Sequence, residues 1–160
     1  MLFITLGSQK FQFNRLLKAV DDLVEQGIVT DEVFAQIGYS DYVPRHYAYK
    51  DFLDRDEFAH YQDLADTVIT HGGTGAIIGA AKKGKKIIAM PRLAKYGEHV
   101  DDHQLQLIGE FDRMQIILAC YDEKKLGEVY RSLETAQLRH YQSNPGAILD
   151  SIDAYIREIL

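Results

Sequence analysis

The sequence predicts an α/β fold in which a Rossmann-like parallel sheet carries helices on both faces. Short apolar segments alternate along the chain with segments of helical periodicity. The apolar segments are continuous, which is typical of parallel strands buried on both faces. At 160 residues the chain has the length of one domain with its own core, so we expect residues 1–160 to form a single domain.

Each element of the first half follows from a local pattern. Residues 2–6 form a short apolar run that ends at a Gly-Ser turn. Apolar residues then recur at helical spacing from Phe13 to Val24, and Gly27 is a typical helix stop. The other predicted elements are strands at 33–38, 46–53 and 67–71 and a helix at 56–66.

The second half continues the alternation of strands and helices. A helix of small residues is predicted at 76–83, and the strand predicted at 85–91 ends at Pro91. A polar loop follows this strand. The last predicted elements are a helix at 103–111, a strand at 115–121 and helices at 123–133 and 147–159.

The predicted sheet indicates where a ligand would bind. In parallel sheets of this kind, ligands bind in the loops that leave the carboxyl ends of the strands. These loops follow Leu6, Ile37, Phe52, Thr70 and Met90.

One of these loops, HGGTG at residues 71–75, has the composition of a phosphate-binding loop. Glycine lets a ligand approach the backbone, and the following helix N-terminus presents unpaired N–H groups and a positive dipole end. We expect Thr74 to cap the helix and to offer its hydroxyl to a phosphate oxygen. The loop lacks both the GK[ST] ending of a Walker loop and the GxGxxG pattern. A tight turn without a ligand is the alternative interpretation.

A second polar stretch, PRLAKYGEHVDDHQ at residues 91–104, leaves the next strand end. Its carboxylates and amide are the directional hydrogen-bonding groups that a sugar needs. Beside a phosphate-binding loop, they predict a nucleotide-sugar site. The alternative is a metal site, but the spacing of its candidate ligands fits no standard zinc pattern. These candidates are His99, Asp101, Asp102 and His103.

Composition limits the classes of partner that the protein can bind and the cellular compartment in which we expect it. The formal net charge is −6 and no Lys/Arg cluster is interleaved with aromatic residues, so we expect no nucleic-acid partner. Cys120 is the only cysteine of the sequence, which excludes an intrachain disulfide and favours a reducing compartment. No apolar run approaches the roughly 18 residues of a membrane span, and the first residues lack a signal-peptide pattern. These features predict a cytoplasmic protein.

The segments HGGTGAIIGAAKKGKKIIAMPR and YGEHVDDHQLQL resemble the C-terminal, donor-binding half of family 28 glycosyltransferases. The segments FITLGS, YKDFL and LADTVITHGGTG occur in the order found in that family. The resemblance implies the C-terminal half of a GT-B fold. It is greatest to the split type, which includes bacterial capsule and exopolysaccharide β-1,4-galactosyltransferase subunits and the eukaryotic dolichol-pathway UDP-GlcNAc transferase subunit.

The resemblance also implies roles for individual residues. Phe52 and Leu53 would border the uracil, and the family's ribose-binding glutamate is replaced here by Gly79. The residues implied at the donor diphosphate are Gly7, Ser8, His71, Gly72, Gly73, Thr74 and Gly75. The residues that would contact the donor sugar or position their loop are Asp102, His103 and Gln104, with Glu98 and His99 as weaker candidates.

The activity implied by the resemblance is an inverting transfer of galactose or GlcNAc from a UDP-sugar to a lipid-linked saccharide. No metal cofactor is expected, since a helix dipole can stabilise the departing diphosphate. A membrane-associated partner subunit would bind the acceptor and hold the chain at the inner face of the membrane, and a homo-oligomer is left open. The candidates for the general base are His46, His71 and His99, beside residues of the partner.

Rival interpretations predict different behaviour. A nucleotide-sugar 2-epimerase shares the GT-B fold but needs a second domain that 160 residues do not supply. A non-catalytic, UDP-sugar-binding regulatory module would bind the donor without turning it over. A Rossmann-like protein with a vestigial loop would bind no nucleotide.

Overall fold

The computed structural model describes residues 1–139. Within these residues a six-stranded sheet has the order β3-β2-β1-β4-β5-β6, and all neighbouring strands are parallel. The predicted fold class is confirmed. The helix predicted at 147–159 lies outside the described residues. The strands are β1 (Leu2–Thr5), β2 (Val33–Gln36), β3 (Ala48–Lys50), β4 (Thr67–Thr70), β5 (Lys86–Ala89) and β6 (Leu118–Ala119).

Helices connect β1 to β2 and link β3, β4, β5 and β6 in turn, whereas a loop without a helix connects β2 to β3. Several predicted boundaries are wrong. The helix predicted at 76–83 begins at Thr74, the strand predicted at 46–53 pairs with its neighbour only at residues 48–50, and the strand predicted at 115–121 is limited to residues 118–119. The helix predicted at 123–133 becomes α-helical only at Leu126. Short 3-10 segments occur at Ala94–Tyr96 and Glu123–Lys125. The α-helices of the described range are α1 (Asn14–Glu25), α2 (Arg55–Leu64), α3 (Thr74–Lys82), α4 (His103–Arg113) and α5 (Leu126–Ser132).

The strands β1, β2 and β4 are buried on both faces, which explains their continuous apolar sequences, whereas the edge strand β3 is exposed. Ile4 belongs to the cluster that packs against α1 and α5, whereas its neighbour Phe3 belongs to the cluster against α2, α3 and α4. Both side chains are fully buried. No helix within residues 1–139 is both long enough and apolar enough to cross a membrane.

The connections diverge between β1 and β4, and this positions the candidate site. Helix α1 leads from β1 to β2 on one side, whereas α3 leads from β4 to β5 on the other. Such a divergence opens a crevice at the carboxyl ends of the two strands. Thr5 and Thr70 are paired in register there, and the Thr70 hydroxyl donates to the Thr5 carbonyl over 2.8 Å. The loops that begin at Leu6 and His71 therefore start side by side.

Candidate functional site

The imidazole of His71 lies between two glycines at the crevice. Gly7 has a positive φ of 71°, and a Cβ atom placed there would lie 2.7 Å from Nε2 of His71. A Cβ atom on Gly73 would also lie 2.7 Å from Nε2. Both glycines are therefore needed because the ring occupies the space that a side chain would take.

The side-chain amide of Gln104 holds the His71 ring and the glycine loop in place through hydrogen bonds. Its Oε1 accepts the backbone N–H groups of Gly72 and Arg92, each over 3.0 Å. Since both partners of Oε1 are donors, the orientation of the amide is determined, and Nε2 must be the donor toward His71. Nε2 lies 3.3 Å from Nδ1 of His71. Nδ1 is thus the acceptor, and the ring proton resides on Nε2.

Burial keeps this imidazole neutral. His71 is only 5% exposed. Removal from water, followed by the positive charges of Arg92 and His99, lowers the pKa of His71 from 6.5 to about 3. Near neutral pH, His71 is therefore an uncharged hydrogen-bond donor, with its Nε2–H group between Gly7 and Gly73. It is not available as a general base, since its one unprotonated nitrogen is engaged by Gln104.

The N-terminus of α3 has no side-chain cap. Its N-cap residue is Gly73, whose φ and ψ are −77° and 122°, and Thr74 is the first helical residue. The prediction that Thr74 caps the helix is wrong, because the residue falls one position too late. Among residues 1–139, no group accepts a hydrogen bond from the N–H groups of Thr74, Gly75 or Ala76. Three adjacent donors at a positive dipole end are thus left for a ligand.

A buried arginine holds the neighbouring loops together. The Arg92 guanidinium is 1% exposed and lies 5.1 Å from the centre of the Phe13 ring. Burial lowers the pKa of Arg92 to about 10, so the group stays charged. Its positive charge favours an anion in the adjacent crevice. The hydrogen bonds of its two terminal nitrogens go to the backbone carbonyls of Leu6, Phe11, Gln12 and Glu98.

Glu98 is a buried structural residue that pairs with Arg15. It is 1% exposed and forms a two-point ion pair with Arg15, at 3.1 Å from Nε to Oε2 and 3.0 Å from Nη2 to Oε1. Oε1 also accepts the backbone N–H of Leu93 over 3.0 Å. Because both carboxylate oxygens are engaged, we no longer expect Glu98 to contact a donor sugar.

The other candidates of the second polar stretch lie at the same edge. Asp102 is exposed, although one oxygen accepts the backbone N–H of Ala94 over 2.9 Å. Nδ1 of His99 lies 3.1 Å from Asp101, and its ring packs against Phe11. His103 begins α4 and is partly exposed. Sugar contacts by Asp102, His99 and His103 stay predictions, whereas Gln104 is buried and positions the loop.

The remaining predicted residues divide between the two edges of the sheet. Phe52 is 45% exposed after the carboxyl end of β3 and meets Tyr39 edge-on at 5.1 Å. Leu53 packs on the cluster under α2, and Ser8 is exposed beside the crevice. His46 precedes β3 and so lies toward the amino ends of the strands, where Nδ1 is 2.9 Å from Asp21. We therefore drop His46 as a candidate base for this site.

A cavity of about 430 Å³ extends from the glycine loop at residues 71–75 into the space between α2 and α3. Its wall includes Thr5, Gln36 and Gln62, which sequence analysis did not single out. A signal existed for Gln62, because it lies four residues after Phe58 on the otherwise apolar inner face of α2. Within residues 1–139, no group of three or more His, Cys, Asp or Glu side chains could hold a metal ion.

Comparison with known proteins assigns the family. The model of the glycosyltransferase family 28 C-terminal domain matches residues 1–156. The chain belongs to this family. It is therefore a glycosyltransferase domain, as the resemblance implied. A comparison with curated protein sequences gave no match.

Solved structures share the fold. The solution structure of ALG13 aligns with 20% identity and a TM-score of 0.59, covering 88% of each chain. MurG of Acinetobacter baumannii aligns with 19% identity and a TM-score of 0.58, over 82% of this chain and 40% of that one. The glycosyltransferase SnogD from Streptomyces nogalater aligns with 16% identity and a TM-score of 0.55, over 99% and 38%. The chain thus spans about two fifths of MurG and SnogD, and nearly the whole of ALG13.

Proposed function

We propose that this family 28 domain binds a UDP-sugar and is the donor-binding subunit of an inverting hexosyltransferase. The observation that carries the proposal is the group of donors around residues 71–76. The uncapped N–H groups of α3 and the Nε2–H group of His71 converge on one crevice, and the buried charge of Arg92 lies behind it. These groups suit a diphosphate, since each either donates a hydrogen bond or adds positive potential.

The same groups would assist the reaction. An acceptor hydroxyl attacks the anomeric carbon, the bond to the diphosphate breaks, and negative charge grows on the leaving UDP. Fixed N–H donors and the helix dipole stabilise that charge more in the transition state than in the bound donor. His71 contributes as a donor and not as a base. The acceptor proton must go elsewhere, to His99 or to a residue of a partner subunit.

The proposal extends to the substrates and the partner. The transferred sugar is galactose or GlcNAc, and the acceptor is a lipid-linked saccharide of capsular or exopolysaccharide synthesis. A membrane-associated subunit binds the acceptor and recruits this chain to the inner face of the membrane. The split-type resemblance and the match over nearly the whole length of ALG13 support this arrangement. A divalent metal is not required, because Arg92 and the α3 dipole supply positive potential at the diphosphate.

A second candidate function is a regulatory module that binds the UDP-sugar without transfer. This candidate is favoured because two of the candidate bases are lost. Nδ1 of His71 is occupied by Gln104, so the ring can only donate from Nε2, and His46 lies at the amino-terminal edge of the sheet, away from the crevice. The two functions differ once the acceptor side is complete. A catalytic subunit releases UDP when the membrane subunit and acceptor are added, whereas a regulatory module does not.

Calorimetric titration tests the proposal. The purified chain is titrated with UDP, UDP-galactose and UDP-GlcNAc in the presence of EDTA. We expect UDP to bind without metal and one of the two sugars to bind more tightly than UDP. Loss of binding in EDTA that Mg²⁺ restores would contradict metal independence, and failure of all three ligands to bind would contradict the function itself.

A further inference from the structure

Gln62 of α2 presents its side-chain amide to the cavity between α2 and α3. Its side chain is 5% exposed and lines the cavity between α2 and α3. Within residues 1–139 the amide makes no hydrogen bond, and its nitrogen and oxygen are not enclosed by the protein. They are therefore reached from the cavity and can donate to and accept from a ligand there.

The opposite wall is kept open by glycines. Gly75 and Gly79 lie one helical turn apart on α3 and both line the cavity. A Cβ atom on Gly79 would lie 3.5 Å from Nε2 of Gln62, and a Cβ atom on Gly75 would meet nothing within 4 Å. Side chains at these positions would enter the space in front of the amide. The phosphate-binding loop and the Gln62 amide therefore face one continuous volume.

A second amide faces the same volume from the sheet. Gln36, at the end of β2, accepts a hydrogen bond from the Thr5 hydroxyl at Oε1 over 3.4 Å. Its Nε2 donors meet no acceptor within the described residues. No charged side chain contributes to the wall of this cavity. Neutral amides can each donate and accept, which suits hydroxyl groups better than a charged ligand.

We propose that the side-chain amide of Gln62, assisted by Gln36, binds hydroxyl groups of a sugar ring attached to the diphosphate. This inference rests on the proposed function, because the phosphate-binding loop fixes one end of the ligand beside the cavity. The ring has two possible sources, the ribose of the nucleotide and the transferred hexose. Both present neighbouring hydroxyls to an amide in the same way.

The test compares the wild-type chain with Gln62→Met, which keeps the length and volume of the side chain but removes its hydrogen bonds. Gln26→Met, at the exposed end of α1, is the matched control. Each protein is titrated with pyrophosphate, UDP, 2′-deoxy-UDP, 3′-deoxy-UDP, UDP-galactose and UDP-GlcNAc. Unfolding curves establish that the variants are folded.

The expected result is a loss of about tenfold in affinity for the ligand that carries the ring, with pyrophosphate binding unchanged. If the ribose is bound, the wild-type chain prefers UDP to one of its deoxy analogues and Gln62→Met loses that preference. If the hexose is bound, Gln62→Met loses the preference for a UDP-sugar over UDP. The control should behave as the wild-type chain does.

Three results would overturn the inference. Gln62→Met could bind UDP and both UDP-sugars within about twofold of wild type, below the effect of one hydrogen bond. It could lose affinity equally for UDP and both deoxy analogues with no change in sugar preference. It could also lose pyrophosphate binding to the same extent, as a distorted phosphate-binding loop would. These outcomes leave the proposed function standing, whereas a wild-type chain that binds none of the nucleotides overturns both.

Discussion

The side-chain amide of Gln104 lies 3.3 Å from Nδ1 of His71 and determines which form of the imidazole faces the crevice. Because Oε1 of Gln104 already accepts two backbone N–H groups, its Nε2 can only donate to the ring. His71 is thereby a neutral donor at Nε2. A histidine that the sequence offered as a candidate base is therefore a hydrogen-bond donor toward the crevice.

This relationship predicts the tautomer of His71 and its dependence on Gln104. In ¹⁵N NMR spectra of the wild-type chain, we expect His71 to carry its proton on Nε2 near neutral pH. Gln104→Glu replaces the donor by a carboxylate oxygen, so the proton should move to Nδ1. Gln106→Glu, at an exposed position of α4, is the matched control and should leave the tautomer unchanged. An Nδ1–H form in the wild-type chain would refute the assignment.

The low pKa of His71 predicts a pH dependence of stability. Between about pH 3 and pH 6.5 the unfolded chain binds a proton at this histidine that the folded chain does not. The free energy of unfolding should therefore decrease as the pH falls through this window, by up to about 1.4 kcal/mol per pH unit from this group. Urea denaturation at several pH values in this window gives the free energy of unfolding as a function of pH. This dependence should be shallower for His71→Asn than for the wild-type chain, whereas the surface variant His60→Asn should match the wild-type chain. Equal slopes for all three proteins would exclude a strongly lowered pKa.

The close contact of Gly73 with His71 predicts that even a methyl group there disturbs the site. A Cβ atom on Gly73 overlaps the ring, whereas one on Gly75 meets open space. We expect Gly73→Ala to weaken UDP binding by roughly tenfold or more, since the ring must move away from its hydrogen bond. Gly75→Ala should preserve or raise stability, by up to about 1 kcal/mol, because alanine favours the helix. Unchanged UDP affinity in a folded Gly73→Ala protein would count against His71 as a ligand.

The buried ion pair between Arg15 and Glu98 predicts a structural role for the glutamate. Glu98→Gln removes the charge that faces Arg15 while keeping the shape, and should lower the free energy of unfolding by about 1–3 kcal/mol. The ratio of affinities for UDP-sugar and UDP should not change. Denaturation and titration of the same preparation measure both effects. A changed sugar preference with unchanged stability would restore Glu98 as a sugar-binding residue.

The fold and the position of the glycine loop at residues 71–75 could be predicted because both depend on local pattern. Continuous apolar strands specify a sheet buried on both faces, and glycines between a strand and a helix specify the loop at its carboxyl edge. The start of α3 was misplaced by the same kind of reasoning. Thr74 is a favourable cap by residue type, but Gly73 takes that position so that His71 can pack against it.

The polar interior of the site could not be predicted from local pattern. Arg92, Glu98 and Gln104 are charged or amide residues in a loop that looks solvent-exposed, yet each is almost fully buried. Their burial depends on partners far away in the sequence: the Leu6 carbonyl for Arg92, the Gly72 N–H group for Gln104 and the Arg15 guanidinium for Glu98. Gln62 is a similar case, because its place in the cavity wall follows only from the packing of α2 opposite the glycines of α3.

Mapping UDP onto the backbone amides tests the central claim most directly. In ¹H–¹⁵N spectra of the assigned chain, titration with UDP in EDTA should shift the N–H signals of Gly73, Thr74, Gly75 and Ala76 most strongly, together with the His71 Nε2–H signal. The sheet's amino edge provides an internal comparison, because a larger cavity of about 800 Å³ there is lined by Lys83, Lys85 and Lys86. Shifts concentrated around those lysines, with the α3 N-terminus unchanged, would contradict the assignment of residues 71–76 as the diphosphate site.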